Sequence, residues 1–257
     1  MANSDIQMLW LMVMKRFFLL TMPRTGSTMM AERLDSHPDI TCYLGLFDRN
    51  EFTGRHHPTT AALRSRLDDR WEDREVRQRE HERFLDEVSE KTPECAAMGF
   101  KFHLSGPRHV AMWIVSTPGH KLVHLTRPNR LATWSSIEMV RQHGRNNATF
   151  GDAGERPTIA FDVESFEAHV KSRDIADNRC RALVRANDGL EISYAEARGG
   201  EGMQRVYRFL DVGCSLGGSP NVRKVNAENI LDRFSNPDAV IAWIEREGRT
   251  EWLLPEI

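Results

Sequence analysis

The chain has no excess of either charge. Thirty-five Lys and Arg stand against 37 Asp and Glu in 257 residues, for a net charge of −2 and a pI near 6.6. A general nucleic-acid binder needs a surplus of basic residues, so that class is excluded. Cysteine is scarce too. Cys42, Cys95, Cys180 and Cys214 lie far apart, with no CxxC and no Cys/His ligand spacing. They read as small buried thiols in a reducing cytosol rather than a disulfide scaffold or zinc site, with pairing in space left open by the sequence. No uninterrupted apolar stretch reaches the roughly 18 residues of a membrane span. Met8–Met14 (MLWLMVM) is the nearest, but Lys15 and Arg16 interrupt it. Its charges follow the apolar run, and no small-residue cleavage site comes after it, so a signal peptide is not the expected reading. Residues 1–14 read as a loosely placed segment leading into a strand, with Met14 an alternative start. The chain lacks internal repeats and flexible linkers, and at 40% hydrophobic it is too apolar to be disordered. Its length suits a single domain, 1–257, with a substantial core.

Against these absences stand five short apolar runs: Arg16–Thr21, Ile40–Leu44, Ala96–Phe102, Lys121–Thr126 and Leu190–Tyr194. Helical-period segments separate them, which predicts an α/β fold with a central, mostly parallel sheet and helices on both faces. Arg64–Lys91 carries 8 basic and 10 acidic residues and reads as a solvated helix pair laced with ion pairs. Further helices are expected over 162–187, 200–210 and 237–247. Gly144–Pro157, rich in Gly and Asn, reads as a long loop of the kind that forms lids.

Ligands of such sheets sit at the carboxyl ends of the strands. The first strand runs straight into Met22-Pro23-Arg24-Thr25-Gly26-Ser27-Thr28 and then a helix. A strand–turn–helix junction presents main-chain N–H groups and a positive dipole end, which suit phosphate or sulfate. Gly26 permits close approach, Ser27 and Thr28 add hydroxyls and cap the helix, and Arg24 supplies a cation. A Walker A loop needs a Lys after its last glycine; none is here, which disfavours an ATP- and magnesium-dependent kinase. After the fourth strand comes Arg127, with Ser135 eight residues later, a pair suited to gripping one phosphate from a strand end and a helix.

PRTGST at Pro23–Thr28, with Arg127 and Ser135, resembles the sulfotransferases that use 3′-phosphoadenosine 5′-phosphosulfate (PAPS), most closely the bacterial branch with the Nod-factor and trehalose enzymes. The resemblance implies a P-loop-like three-layer fold. It also implies that Arg24, Thr25, Gly26, Ser27 and Thr28 hold the 5′-phosphosulfate, and Arg127 and Ser135 the 3′-phosphate. LEISY at 190–194 and QRVYRFLDVG at 204–213 resemble later family segments, which would put Tyr194 near the adenine, though a core tyrosine fits nearly as well. Arg223 and Lys224, in a late loop, match basic cofactor contacts more weakly.

Lys101 and His103 resemble a Lys and His that face the acceptor in the cytosolic enzymes, and strand alternation sends both to one side. A neutral imidazole is a suitable base near pH 7. The bacterial branch usually takes a Glu from a segment after the second strand. This chain reads YLGLF there, followed by Asp48 and Glu51. His103 is therefore the first candidate base and Glu51 the second. His56 and His57 read as loop, and His120 and His124 as structural; the chemistry requires no metal.

The expected reaction is sulfuryl transfer from PAPS to a hydroxyl of a small molecule, glycan or lipid, releasing 3′-phosphoadenosine 5′-phosphate (PAP), in the cytoplasm and without nucleic-acid partners. The missing Glu leaves a second reading, a non-catalytic PAP- or PAPS-binding protein. Oligomeric state is not legible, and the acceptor is set by the stretches 52–92 and 142–158.

Overall fold

The computed structural model describes residues 14–47, 57–143, 157–214 and 229–256. Nearly all of the Gly144–Pro157 loop, the segment before Met14, and Asp48, Glu51, His56, Arg223 and Lys224 lie outside the described residues.

Five described strands form one parallel sheet: β1 (Lys15–Thr21), β2 (Ile40–Tyr43), β3 (Ala97–His103), β4 (Lys121–Thr126) and β5 (Leu190–Ser193), in the order β2-β3-β1-β4-β5. Each matches an expected apolar run. β1 is central, paired with β3 on one side and β4 on the other. A parallel strand covered on both faces needs a continuous apolar run, and Phe17–Leu20 is buried throughout. Period-2 alternation then divides it: Phe18 and Leu20 enter one core, Phe17 and Leu19 the other.

The first core gathers helices α4 (His81–Lys91), α5 (Arg108–Ser116) and the C-terminal half of α7 (Val163–Ala186). The second gathers α1 (Ser27–Asp35) and α9 (Gly200–Phe209). The layers are thus helix, sheet, helix. A third, largely aromatic cluster lies beside them. It joins Trp134 of α6 (Arg130–His143), Phe166 of α7, Trp243 of α10 (Pro237–Glu247), Phe234 and Trp252. Trp243 and Trp252 stack with ring centroids 5.9 Å apart. This cluster ties the last described residues to the sheet.

The charge run at 64–91 is not a helix pair. It contains the end of α2 (Pro58–Arg64), a 3-10 turn at Asp69–Glu72, α3 (Arg74–Arg79) and α4. The breaks come from aspartates that serve the backbone: Asp68 accepts from the Arg70 N–H, and Asp73 from those of Glu75 and Val76. Nor is the run wholly solvated. Arg77 is 0% exposed and donates to the main-chain carbonyls of Leu46, Trp71 and Glu72. The other expected helices stand within a residue of their predicted bounds; α7 is capped by Asp162, and α10 has Pro at its start and left-handed Gly248 at its end. Tyr194, expected to close the fifth strand, instead opens a short helix, α8 (Tyr194–Arg198), because Ser193 and Glu196 form a capping box.

Candidate active site at the carboxyl ends of the strands

Sheet register brings the candidate residues to one edge. Thr21, the last residue of β1, pairs with His103 and with Leu125, two residues before Arg127. Thr126 pairs with Ser193, so Arg127 and Tyr194 leave the sheet side by side.

Arg24 and Gly26 both take left-handed conformations, φ 67° and 87°. Loops with such residues turn main-chain N–H groups toward a shared anion. Gly26 is also the N-cap of α1, and no side chain caps that helix. The expected capping by Ser27 and Thr28 is therefore corrected: both lie inside the first turn, leaving its dipole end without a side-chain oxygen over it. Thr25 is buried; its hydroxyl donates to the Met22 carbonyl at 2.9 Å and meets the Thr21 hydroxyl. Thr25 thus braces the loop from inside. Tyr194 explains the glycine: a Cβ at residue 26 would lie 2.5 Å from its Cε2.

Arg127 donates through Nη1 to the Arg24 carbonyl at 3.1 Å, and its guanidinium lies 4.3 Å above the Tyr194 ring. Its Nε reaches both carboxylate oxygens of Glu256, at 2.9 and 3.1 Å, and Nη2 also contacts that carboxylate. Ser135 does not touch Arg127 directly. Its hydroxyl accepts from Arg233 Nη1 at 3.0 Å. Burial and the nearby charge of Arg127 push Arg233 down to about 10. Arg24 donates to the Ser136 hydroxyl at 2.7 Å, and burial and Arg127 lower its pKa as well. Three arginines thus share one corner, an arrangement that favours a multiply charged anion.

Arg233 was not among the sequence candidates, nor were Ser136, Glu256 and Arg173. Arg173, from α7, donates to the Pro23 carbonyl at 2.6 Å, and burial pushes it down to about 10. Behind the loop, Arg130 donates to the Arg127 carbonyl and pairs with Asp174 and Asp177. Only Ser136 carried a usable signal, as the neighbour of Ser135; the others depend on contacts between distant segments.

His103 lines a pocket of about 300 Å3 with Pro23, Phe47, Arg74, Gln78, Ser105, Gly106 and Pro107. It therefore shares a wall with the phosphate loop. Lys101, two residues earlier, is buried within the strand near Cys42. His124 is wholly buried between Asp177 and Glu191, 3.5 Å from each, and His120 packs on Phe18 and Trp113. Burial lowers the pKa of His120. His57 caps α2. Among the described residues, no group of three His, Cys, Asp or Glu could hold a metal ion, and no helix is long and apolar enough to cross a membrane.

A parallel sheet, a left-handed loop feeding an uncapped helix, and arginines gathered at the strand ends define an α/β protein of the phosphate-loop type. The model of the sulfotransferase family matches residues 16–215, and the chain belongs to that family. Among solved structures, the sulfotransferase domain of the Synechococcus PCC 7002 olefin synthase is similar at 16% identity and TM-score 0.50, over 85% of this chain and 82% of that one. A sulfotransferase from Alicyclobacillus acidocaldarius is 15% identical, with TM-score 0.45, over 93% and 94% of the two chains. Sulfotransferase STF9 from Mycobacterium avium is 16% identical, with TM-score 0.47, over 96% and 80%. No curated protein matches the chain by sequence.

Proposed function

We propose that this sulfotransferase uses PAPS as donor and a hydroxyl of a small molecule, glycan or lipid as acceptor, giving a sulfate ester and PAP. One observation carries the donor assignment. A second anion-binding corner, formed by Arg127, Arg233 and Ser135, adjoins the phosphate loop, and a carboxylate is already seated on Arg127. Two anion sites bridged by the Tyr194 ring suit a nucleotide phosphorylated at both ends. In this reading residues 24–28 hold the 5′ end, chiefly through the backbone, while Arg127, Ser135 and Arg233 hold the 3′-phosphate.

The bound donor supplies an activated sulfuryl group. In the transfer, the acceptor oxygen bonds to sulfur as the sulfur–oxygen bond to the 5′-phosphate breaks. His103 takes the hydroxyl proton. Arg24 offsets charge gathering on the leaving phosphate, and Lys101, two residues before His103 on the same strand, adds a second cation. Such positioned cations are worth about 2.7–4 kcal/mol each in transition-state stabilisation. Glu51 remains the second candidate base, and Arg223 and Lys224 candidate cofactor contacts.

We read 1–257 as one domain working in the cytoplasm, a compartment that suits four free thiols. Calorimetric titration tests the donor assignment: PAP should bind at least tenfold more tightly than ADP, and Arg127→Ala should abolish the difference. Equal affinities in both proteins would reject PAPS. PAP binding without turnover over a broad acceptor panel, with no effect of His103→Ala, would select the non-catalytic reading.

A further inference from the structure

Glu256 occupies the cation to which the proposed function assigns the 3′-phosphate. Its carboxylate accepts two hydrogen bonds from Arg127 Nε and contacts Nη2, while its carbonyl accepts from Arg198 Nη1. Arg198 also flanks the Tyr194 ring, with Cζ 5.9 Å from the centroid. The pair is sheltered, with side-chain exposures of 8% for Arg127 and 16% for Glu256. The contact is built in. Trp252 is anchored in the aromatic cluster, and its carbonyl accepts from the Asn129 side chain at 2.9 Å, two residues beyond Arg127. That anchor delivers Glu256, four residues on, to the arginine.

A carboxylate and a phosphate ask the same thing of a guanidinium: parallel N–H donors and a positive charge. Two anions crowded onto one sheltered arginine would repel each other strongly. We propose that Glu256 is an internal competitor for the 3′-phosphate. Donor binding expels its carboxylate from Arg127 and frees residues 253–256, so this segment reports on, and limits, occupancy of the donor site. The proposal rests on the donor reading above. Trp252 keeps its place in the aromatic cluster and acts as the hinge.

The test compares PAP with AMP, which differs only in lacking the 3′-phosphate, in the full chain and in Glu256→Gln. Removing the carboxylate should tighten PAP by about tenfold, the low end of what a charge-assisted hydrogen bond is worth, and change AMP by less than about twofold. In the unsubstituted protein, saturating PAP should raise amide hydrogen exchange across 253–256 while protecting residues 22–27; AMP should leave 253–256 unchanged. The exchange measurement does not depend on the variant folding well. If PAP binds but Glu256→Gln leaves its affinity unchanged or weaker, or if exchange across 253–256 falls with PAP, the competitor role is wrong and the donor reading stands. If neither protein prefers PAP over AMP, the 3′-phosphate assignment fails and takes the competitor role with it.

Discussion

Gly26→Ala attacks the phosphate loop at its tightest point, and its cost has two separable parts. The first is backbone. Residue 26 sits at φ 87°, where a Cβ costs about 1–2 kcal/mol. The second is steric: the new methyl would strike the Tyr194 ring, which has little freedom to retreat because Arg127 lies 4.3 Å over its face. Forcing extra volume into a packed site costs about 1–3 kcal/mol. Together these predict a loss of about 2–5 kcal/mol in stability, read from urea unfolding at pH 7. PAP affinity should fall as well, because the same ring lies between Gly26 and Arg127, the two places where the proposed function seats the donor. A double-mutant cycle separates the parts. Tyr194→Ala in the Gly26→Ala background removes the clash and leaves the backbone term, so the pair should be more stable than the sum of the single losses by about 1–3 kcal/mol. A Gly26→Ala protein within about 0.5 kcal/mol of the parent would refute the left-handed loop. Strictly additive losses would refute the contact with Tyr194.

Other expectations follow from the same geometry. His103→Gln should lower kcat by about a hundredfold or more and flatten the acid limb of the pH–rate profile, with PAP affinity unchanged; an unaltered profile would shift the base to Glu51. Arg233→Met should weaken PAP about tenfold and leave AMP nearly unaffected, since Arg233 meets the site through Ser135; equal losses for both ligands would make Arg233 merely structural. His169 gives an acid-stability prediction. Burial first, then the charges of Arg173 and Arg130, hold its imidazole down to about 3, while in the unfolded chain it titrates near 6.5. Between those values the unfolded state binds the extra proton. The contribution is therefore complete above about pH 6.5 and is lost as pH falls toward 3. His169→Gln should flatten this slope in urea unfolding at pH 7, 5.5 and 4.5, and an unchanged slope would place the acid sensitivity elsewhere.

Much of the architecture was legible because its signals are local. Phe17–Leu20 is a continuous apolar run because a central parallel strand is buried on both faces, and the run alone announces it. The loop after Thr21 and the Arg127 and Ser135 spacing are equally short-range, each set by a strand end and the first turns of the next helix. Where local reading failed, side chains served the backbone in ways periodicity does not register. Asp68 and Asp73 divided the charge run, Gly26 took the cap position expected of Ser27, and Ser193 turned Tyr194 into a helix.

The sequence by itself determined the alternating fold, the strand–loop–helix junction after Thr21 and the place of Arg127 at the end of the fourth strand. Tertiary structure alone decided what meets them. Glu256 reaches Arg127 across 129 positions, Arg233 reaches Ser135 across 98, and Arg173 reaches Pro23 across 150. Such pairings leave no period and no motif. An arginine on a helix looks the same in sequence whether it ends in water or against a buried carbonyl, and only the packing of the sheet, α7 and the aromatic cluster determines which. The near-balance of charge excluded a broadly basic surface, and folding then gathered Arg24, Arg127 and Arg233 into one corner, with Glu256 the carboxylate that faces Arg127 there.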